Sequence, residues 1–143
     1  MDIRHITWQQ TVPLRKRVLW PNKPAEYCHV AGDNEAVHFG AFIHDHLVCV
    51  ASVYVTSNKA RLRKFATDED HQQQGIGSKM LTHIIQSLNN TEATVFWCDA
   101  RESAIGFYER FGLQPFGERF YKEEVPYVKM ALDLAPDNKW IRT

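Results

Sequence analysis

Apolar and polar positions divide the chain into segments of two periods. Val37 to Ile43 alternates, Leu47 to Val55 is almost continuously apolar, and Arg61 to Thr67 is again strand-like. Alternation with period two marks a half-buried strand, and an unbroken apolar run marks one buried on both faces. Ile76, Met80, Leu81, Ile84, Ile85 and Leu88 recur instead at helical spacing and make one apolar face, which Asn89-Asn90 ends. Ala93 to Cys98 predicts a short strand, and about Glu102 to Phe111 a second helix stopping at Gly112. Gln114 to Tyr121 and Val125 to Leu132 predict a closing antiparallel pair.

Near the start, Asp2 to Ile6 alternates as a first strand, and Thr7-Trp8-Gln9-Gln10 has the form of a capping box. Pro13 then suits the first turn of a helix running to about Leu19, with Leu14, Val18 and Leu19 inward and Arg15, Lys16 and Arg17 around them. Residues 21 to 35 read as an irregular loop with a turn at Gly32-Asp33-Asn34, long enough to suggest a functional role. The order of elements is that of an α+β, or mixed α/β, fold. By length, residues 1–143 make one domain, with about 134–143 as a C-terminal tail that Trp140 could anchor.

Composition narrows the partners. The formal net charge is zero, so neither nucleic acid nor an anionic membrane is attracted at long range. No apolar stretch is long enough to span a bilayer, and the N-terminus lacks a signal-peptide core. Cys28, Cys49 and Cys98 are odd in number and form no C-x-x-C, which fits reduced thiols in a cytoplasmic protein. His44-x-His46 lacks an evident third ligand, so no metal is expected.

Candidate chemistry centres on Gln72-Gln73-Gln74-Gly75-Ile76-Gly77, between a strand and a helix. Glycines allow positive φ and close approach to a ligand, and the first N–H groups of a helix lack internal partners and carry partial positive charge. This is an anion site. It is not a dinucleotide fingerprint, because Met80 stands where the third glycine belongs, and the Gly-Lys-Ser/Thr of a Walker loop is absent.

Gln72-x-x-Gly75-x-Gly77 resembles the acetyl-CoA loop of the GNAT superfamily of N-acetyltransferases. Ala104-Ile105-Gly106-Phe107-Tyr108-Glu109-Arg110-Phe111-Gly112-Leu113 resembles the same family's A-x-x-F-Y-x-x-x-G-F helix and turn, in the expected order. The likeness covers about Phe39 to Leu132, and other segments resemble a bacterial subgroup of poorly defined substrate. It implies a central mixed, mostly antiparallel sheet splayed between the fourth and fifth strands and flanked by helices, with acetyl-CoA as cosubstrate. It also implies the cofactor-binding set: Phe65, Ala66 and Thr67 on the strand; Gln72, Gln73, Gln74, Gly75, Ile76, Gly77 and Ser78 in the loop; and Arg101 and Phe107 downstream. Arg101 stands three residues before Ala104, where relatives often carry asparagine.

Acetyl transfer must hold the cosubstrate, neutralise the amine and stabilise the leaving thiolate. A lysine-like amine has a pKa near 10.4, so neutralising it at pH 7 costs roughly 4–5 kcal/mol, which a general base or an apolar pocket offsets. Many relatives carry a glutamate on the strand before the loop; here that strand bears Arg61, Arg63 and Lys64, which leaves the base unassigned among Glu26, His38 and Glu123 and suggests an acceptor with a carboxylate. The resemblance makes Tyr108 the catalytic group beside the thioester sulfur. Arg15 and Tyr127 are expected at the acceptor, a primary amine of a small molecule or peptide; Tyr127 stands where the subgroup usually has histidine. Transfer is expected to be direct, in a ternary complex. The alternatives are a non-catalytic acyl-CoA sensor with the same fold and an unrelated mononucleotide-binding protein. The sequence leaves the oligomeric state open, a homodimer included.

Overall fold

The structure, a computed structural model, describes residues 1–134; the expected tail and its Trp140 anchor lie outside the described residues. Seven strands form one sheet in the order β1-β2-β3-β4-β5-β7-β6: Asp2–Ile6, Val37–Ile43, His46–Thr56, Lys59–Thr67, Val95–Arg101, Val125–Asp133 and Gln114–Lys122. The helices are α1 (Trp8–Leu14), α2 (Ile76–Leu88) and α3 (Ile105–Glu109). The β1–β2, β2–β3, β5–β7 and β6–β7 pairs are antiparallel. β4 and β5 run parallel through three residue pairs, Lys59–Arg61 against Val95–Trp97. The mixed, mostly antiparallel sheet is the expected one. The described chain falls into two compact units, Met1–Tyr54 with Leu62–Ile84, and Val55–Arg61 with 85–134.

In the first unit, α1 starts where the capping box puts it. Thr7 Oγ1 accepts from the Gln10 N–H, and the Gln10 side chain accepts from the Thr7 N–H at 2.8 Å. The helix therefore begins at Trp8, and Pro13 sits inside it rather than in a first turn. Pro13 has no N–H to continue the ladder. The chain widens directly afterwards into a π-helical turn, Arg15–Leu19, closed by the Trp20 N–H on the Arg15 carbonyl at 3.1 Å. Leu14 packs with Val50 and Ala66, and Ile6, Val18, Leu19 and Leu47 cover them. Gly40 lies close to this layer: a Cβ there would lie 2.7 Å from Leu47 Cδ1 and 3.1 Å from Ile6, so a larger residue would make those side chains shift. The apolar stripe of α2 is buried as its spacing predicts, with Met80, Leu81 and Ile84 having no exposed surface.

In the second unit, β5 starts two residues later than the apolar run suggests and continues to Arg101. Phe96, Cys98 and Ala100 form its buried side. The second helix is shorter than expected: Glu102–Ala104 is a 3-10 turn and only Ile105–Glu109 is α-helical. Gly112, at φ +93°, ends it as anticipated. The β6–β7 turn is the pair Glu123-Glu124, both with positive φ.

Candidate active site

The glycine loop leaves β4 through a 3-10 turn, Glu69–His71, and enters α2 at Ile76. The Gln72 side-chain amide donates to the Thr67 carbonyl at 3.0 Å, and that of Gln74 to the Asp70 carbonyl at 3.4 Å, so both glutamines tie the loop to the segment preceding it. Gln73 and Gly75 have positive φ, +62° and +79°. Backbone of that kind turns N–H groups to one side and builds anion-binding concavities. Gln73 holds a conformation that costs a non-glycine residue about 1 kcal/mol or more. A Cβ on Gly75 would meet no heavy atom within 4 Å, so that side of the turn is open. The first helical bond runs from the Lys79 N–H to the Gly75 carbonyl at 3.1 Å, so the N–H groups of Ile76, Gly77 and Ser78 precede it.

β4 carries a device that its sequence hints at only through two adjacent cations. Lys64 has φ +56° inside the strand. The Arg63 guanidinium lies over the Tyr54 ring, on the side of the sheet where Ala66 packs with Leu14 and Val50. Arg63 and Ala66 are three residues apart, which regular alternation forbids. Lys64 is therefore the extra residue of a bulge. Beyond it Thr67 faces the opposite side, its hydroxyl donating to Cys49 Sγ at 3.4 Å. Phe65 shares the side of Thr67, and Ala66 is buried on the other.

In the second unit, Tyr108 is half-buried on α3, with its ring edge-to-face against Phe107 at 5.2 Å. Its hydroxyl lies beside the Cys98 thiol of β5. Burial, reinforced by Cys98, pushes the phenol far above its ordinary pKa, and burial pushes the Cys98 thiol up to about 12. Both groups are neutral, and the hydroxyl is a hydrogen-bond donor rather than a ready acid. Arg101 is exposed at the end of β5 and makes no side-chain cap for the turn that follows.

The two acceptor candidates occupy unlike surroundings. Arg15 has no exposed surface. Its guanidinium donates to both Asp33 carboxylate oxygens at 2.8 and 3.1 Å, to the Cys28 carbonyl at 2.9 Å, to Ser52 Oγ at 2.9 Å and to Tyr54 at 3.2 Å. This puts it inside the first unit, not on the helix surface. The signal was available: Thr11, Leu14, Arg15 and Val18 follow i, i+3, i+4, i+7 spacing. His38 belongs to the same knot. Its Nε2–H donates to the Asp33 carbonyl at 2.9 Å, and its Nδ1 accepts from Ser52 at 2.6 Å. With both nitrogens engaged and the ring buried, His38 has none to offer as a base.

Tyr127 instead stacks on Phe120 at 5.9 Å, under Lys122 Nζ at 4.8 Å. Beside it is a cluster that the shorter predicted strand misses. Asp99, with its side chain 8% exposed, accepts from Arg61 at 2.9 Å, Lys122 at 3.1 Å and Lys129 at 3.0 Å. Burial acts to raise the Asp99 pKa, but the bonds from Lys129 and Lys122 win and lower it, which makes this carboxylate a poor base.

The fold and the two motifs define a class: residues 14–134 match the family described as an acetyltransferase (GNAT) domain, and the chain belongs to it. The chain is accordingly an N-acyltransferase that uses acetyl-CoA. Among its relatives is the uncharacterized N-acetyltransferase YitI of Bacillus subtilis (strain 168), 28% identical over 129 residues that cover 84% of this chain and 87% of the relative. The ribosomal-protein-S18-alanine N-acetyltransferase of Escherichia coli superposes with a TM-score of 0.78 at 20% identity, covering 93% of each chain. A GNAT family acetyltransferase from Elizabethkingia anophelis, crystallised with acetyl-CoA bound, superposes with a TM-score of 0.72 at 16% identity, covering 93% of this chain and 97% of the other. At these identities the two structures speak for the fold. Among the described residues no helix is long and apolar enough to cross a membrane.

Proposed function

We propose that the protein transfers the acetyl group of acetyl-CoA directly to a primary amine of a small molecule or peptide. The observation that carries this reading is the open turn with positive φ at Gln73 and Gly75, running into the first amides of α2. That arrangement suits a diphosphate. The bulge at Lys64 supports the rest, because it breaks the regular alternation of β4 just before Phe65–Thr67, the segment expected to pair with the amides of a pantetheine arm.

In the transfer, the amine nitrogen forms a bond to the thioester carbonyl carbon, the C–S bond breaks, and its electron pair goes to sulfur. The amine, already neutral when it attacks, loses one proton to solvent and the thiolate takes one up from solvent, so the step balances. The Tyr108 hydroxyl donates a hydrogen bond to the departing sulfur. A free phenol of pKa about 10 is already uphill by roughly 2 kcal/mol as a proton donor to a thiolate of about 8.5, and burial of Tyr108 raises that barrier. Donation without transfer is therefore its role, the kind of fixed donor on which much catalysis rests.

Two measurements test the reading. The protein should bind acetyl-CoA and not ATP, and should release free CoA with a panel of primary amines. Binding without release for every amine would favour a sensor. Tyr108→Phe should lower kcat about 100- to 1000-fold, the scale of losing one such donor, and leave acetyl-CoA affinity unchanged. Full turnover in that variant removes Tyr108 from the mechanism.

A further inference from the structure

The outward side of the second unit's sheet brings together residues far apart in the chain. Arg61 pairs with Trp97 across the parallel ladder, Asp99 lies opposite Lys129, and Tyr127 opposite Phe120. Directly paired residues share a face, and the contacts agree. The Arg61 guanidinium is 4.7 Å and Lys129 Nζ 4.8 Å from the Trp97 ring centre, and Lys129 also lies 5.2 Å from that of Phe120. Cys98, which meets Tyr108, points to the other side of the same strand.

Three cations on one carboxylate leave two positive charges unmatched among these groups. The nearby Glu102 is engaged by Arg119 at 2.7 Å, and the acidic pair Glu123-Glu124 lies in the turn beyond the last ladder pair, Lys122 with Val125. Asp99 is almost covered, while the Lys122 and Lys129 side chains are 48% and 42% exposed. The carboxylate thus serves as an anchor that holds the ammonium groups over aromatic rings, with their outer sides still facing solvent. The Nε of Arg61 is buried without a hydrogen-bond partner, so a fixed N–H is left unanswered at the same cluster.

We infer that this face is the acceptor's docking site, and that the acceptor carries a carboxylate, as an amino acid or short acidic peptide does. The carboxylate pairs with Lys122 and Lys129, and the apolar body lies on Trp97, Phe120 and Tyr127. The inference rests on the amine-transfer reading and gives it a substrate class. Charge complementarity supports it: a neutral amine would leave the two excess charges unanswered, whereas a carboxylate gains charge-assisted hydrogen bonds with groups already held in place.

The test uses the full chain saturated with CoA. Binding of N-acetylated amino acids and dipeptides, and of the carboxamide of each, is measured by calorimetry alongside CoA release from acetyl-CoA with the matching free amines. The acids should bind about ten-fold or more tightly than their amides, as a charged hydrogen bond allows. In the double variant Lys122→Gln, Lys129→Gln that preference should vanish, with amide binding and melting temperature little changed. Lys122→Gln alone, which keeps two cations on Asp99, should lose part of it. Equal binding of acids and amides by the unaltered protein overturns the inference. So does a preference that survives the double substitution, or a double variant whose main loss is in affinity for CoA. If acids are preferred but no amine releases CoA, the docking site stands and the transfer reading falls.

Discussion

Asp33 and Asp99 are two buried carboxylates bound by arginine, and they do opposite things. Asp33 meets one guanidinium, that of Arg15, and both side chains have no exposed surface. The remaining partners, Tyr54 and the Val30 N–H, are neutral donors. Asp99 meets three cations, all of them partly in solvent. The first arrangement is charge-balanced and closed, and joins the π-helical turn, the 21–35 loop and strand β3. The second is overcharged and open. A matched buried pair holds a fold together, whereas an outnumbered carboxylate at a surface holds cations ready for another anion.

The sharpest way to break this comparison is at Arg15. Arg15→Ala leaves the Asp33 carboxylate buried without its countercharge, and removing one partner of such a pair costs about 3–5 kcal/mol. Urea unfolding should show a loss of that size. Arg15→Met combined with Asp33→Leu should recover much of it, since apolar replacement of both partners is often neutral. A loss under about 1 kcal/mol for Arg15→Ala would mean that the knot is incidental, a value more usual for exposed pairs.

A second, smaller effect comes from acid. Burial works to raise the Asp33 pKa, but hydrogen bonds from Arg15, Tyr54 and Val30 outweigh it and bring it down to about 2 from 3.8. A carboxylate depressed on folding contributes its full stability above the unfolded value and loses it as pH falls through the folded one. Stability should therefore drop by about 2 kcal/mol between roughly pH 4 and pH 2 on account of this one group. In Asp33→Asn, weaker at neutral pH, that part of the acid limb should be missing. An unchanged limb would assign acid sensitivity to other carboxylates.

The two clusters also differ in how far the sequence reveals them. Strand Val37–Ile43, the stripe of α2 and the glycine loop were legible because periodicity and motif are local. Arg15 was not, since its partner lies 18 residues away in an irregular loop. Its charge argues for the surface, and only its spacing from Thr11 and Leu14 argues otherwise. Lys64 was hidden because an inserted strand residue leaves no trace beyond adjacent polar side chains, Arg63 and Lys64. Asp99 was lost with the end of β5. Reading the apolar run as stopping at Cys98 overlooks that Phe96, Cys98 and Ala100 continue one buried side. Tyr127 is legible as an unusual residue, but its company, Phe120 and Lys122, depends on strand register across a turn.

The smallest expected effect is the most informative about the open cluster. Asp99→Asn removes one charge from a group whose partners are largely screened by water, so its stability cost should be about 1 kcal/mol or less. The loss should shrink further with added salt. If the cluster were a closed knot like that of Arg15, the cost would be several-fold larger. Binding should move the other way. With its anchor neutral, the cluster gains an unmatched charge, so acidic ligands should be held at least as tightly as before at low salt, while the less firmly held lysines make the preference more sensitive to salt. Calorimetry on Asp99→Asn at two ionic strengths reads both effects. A variant that folds normally but loses its attraction for carboxylates would show that Asp99 positions the lysines so strictly that their charge alone is not enough, and the contrast with Asp33 would then lie in geometry rather than in charge.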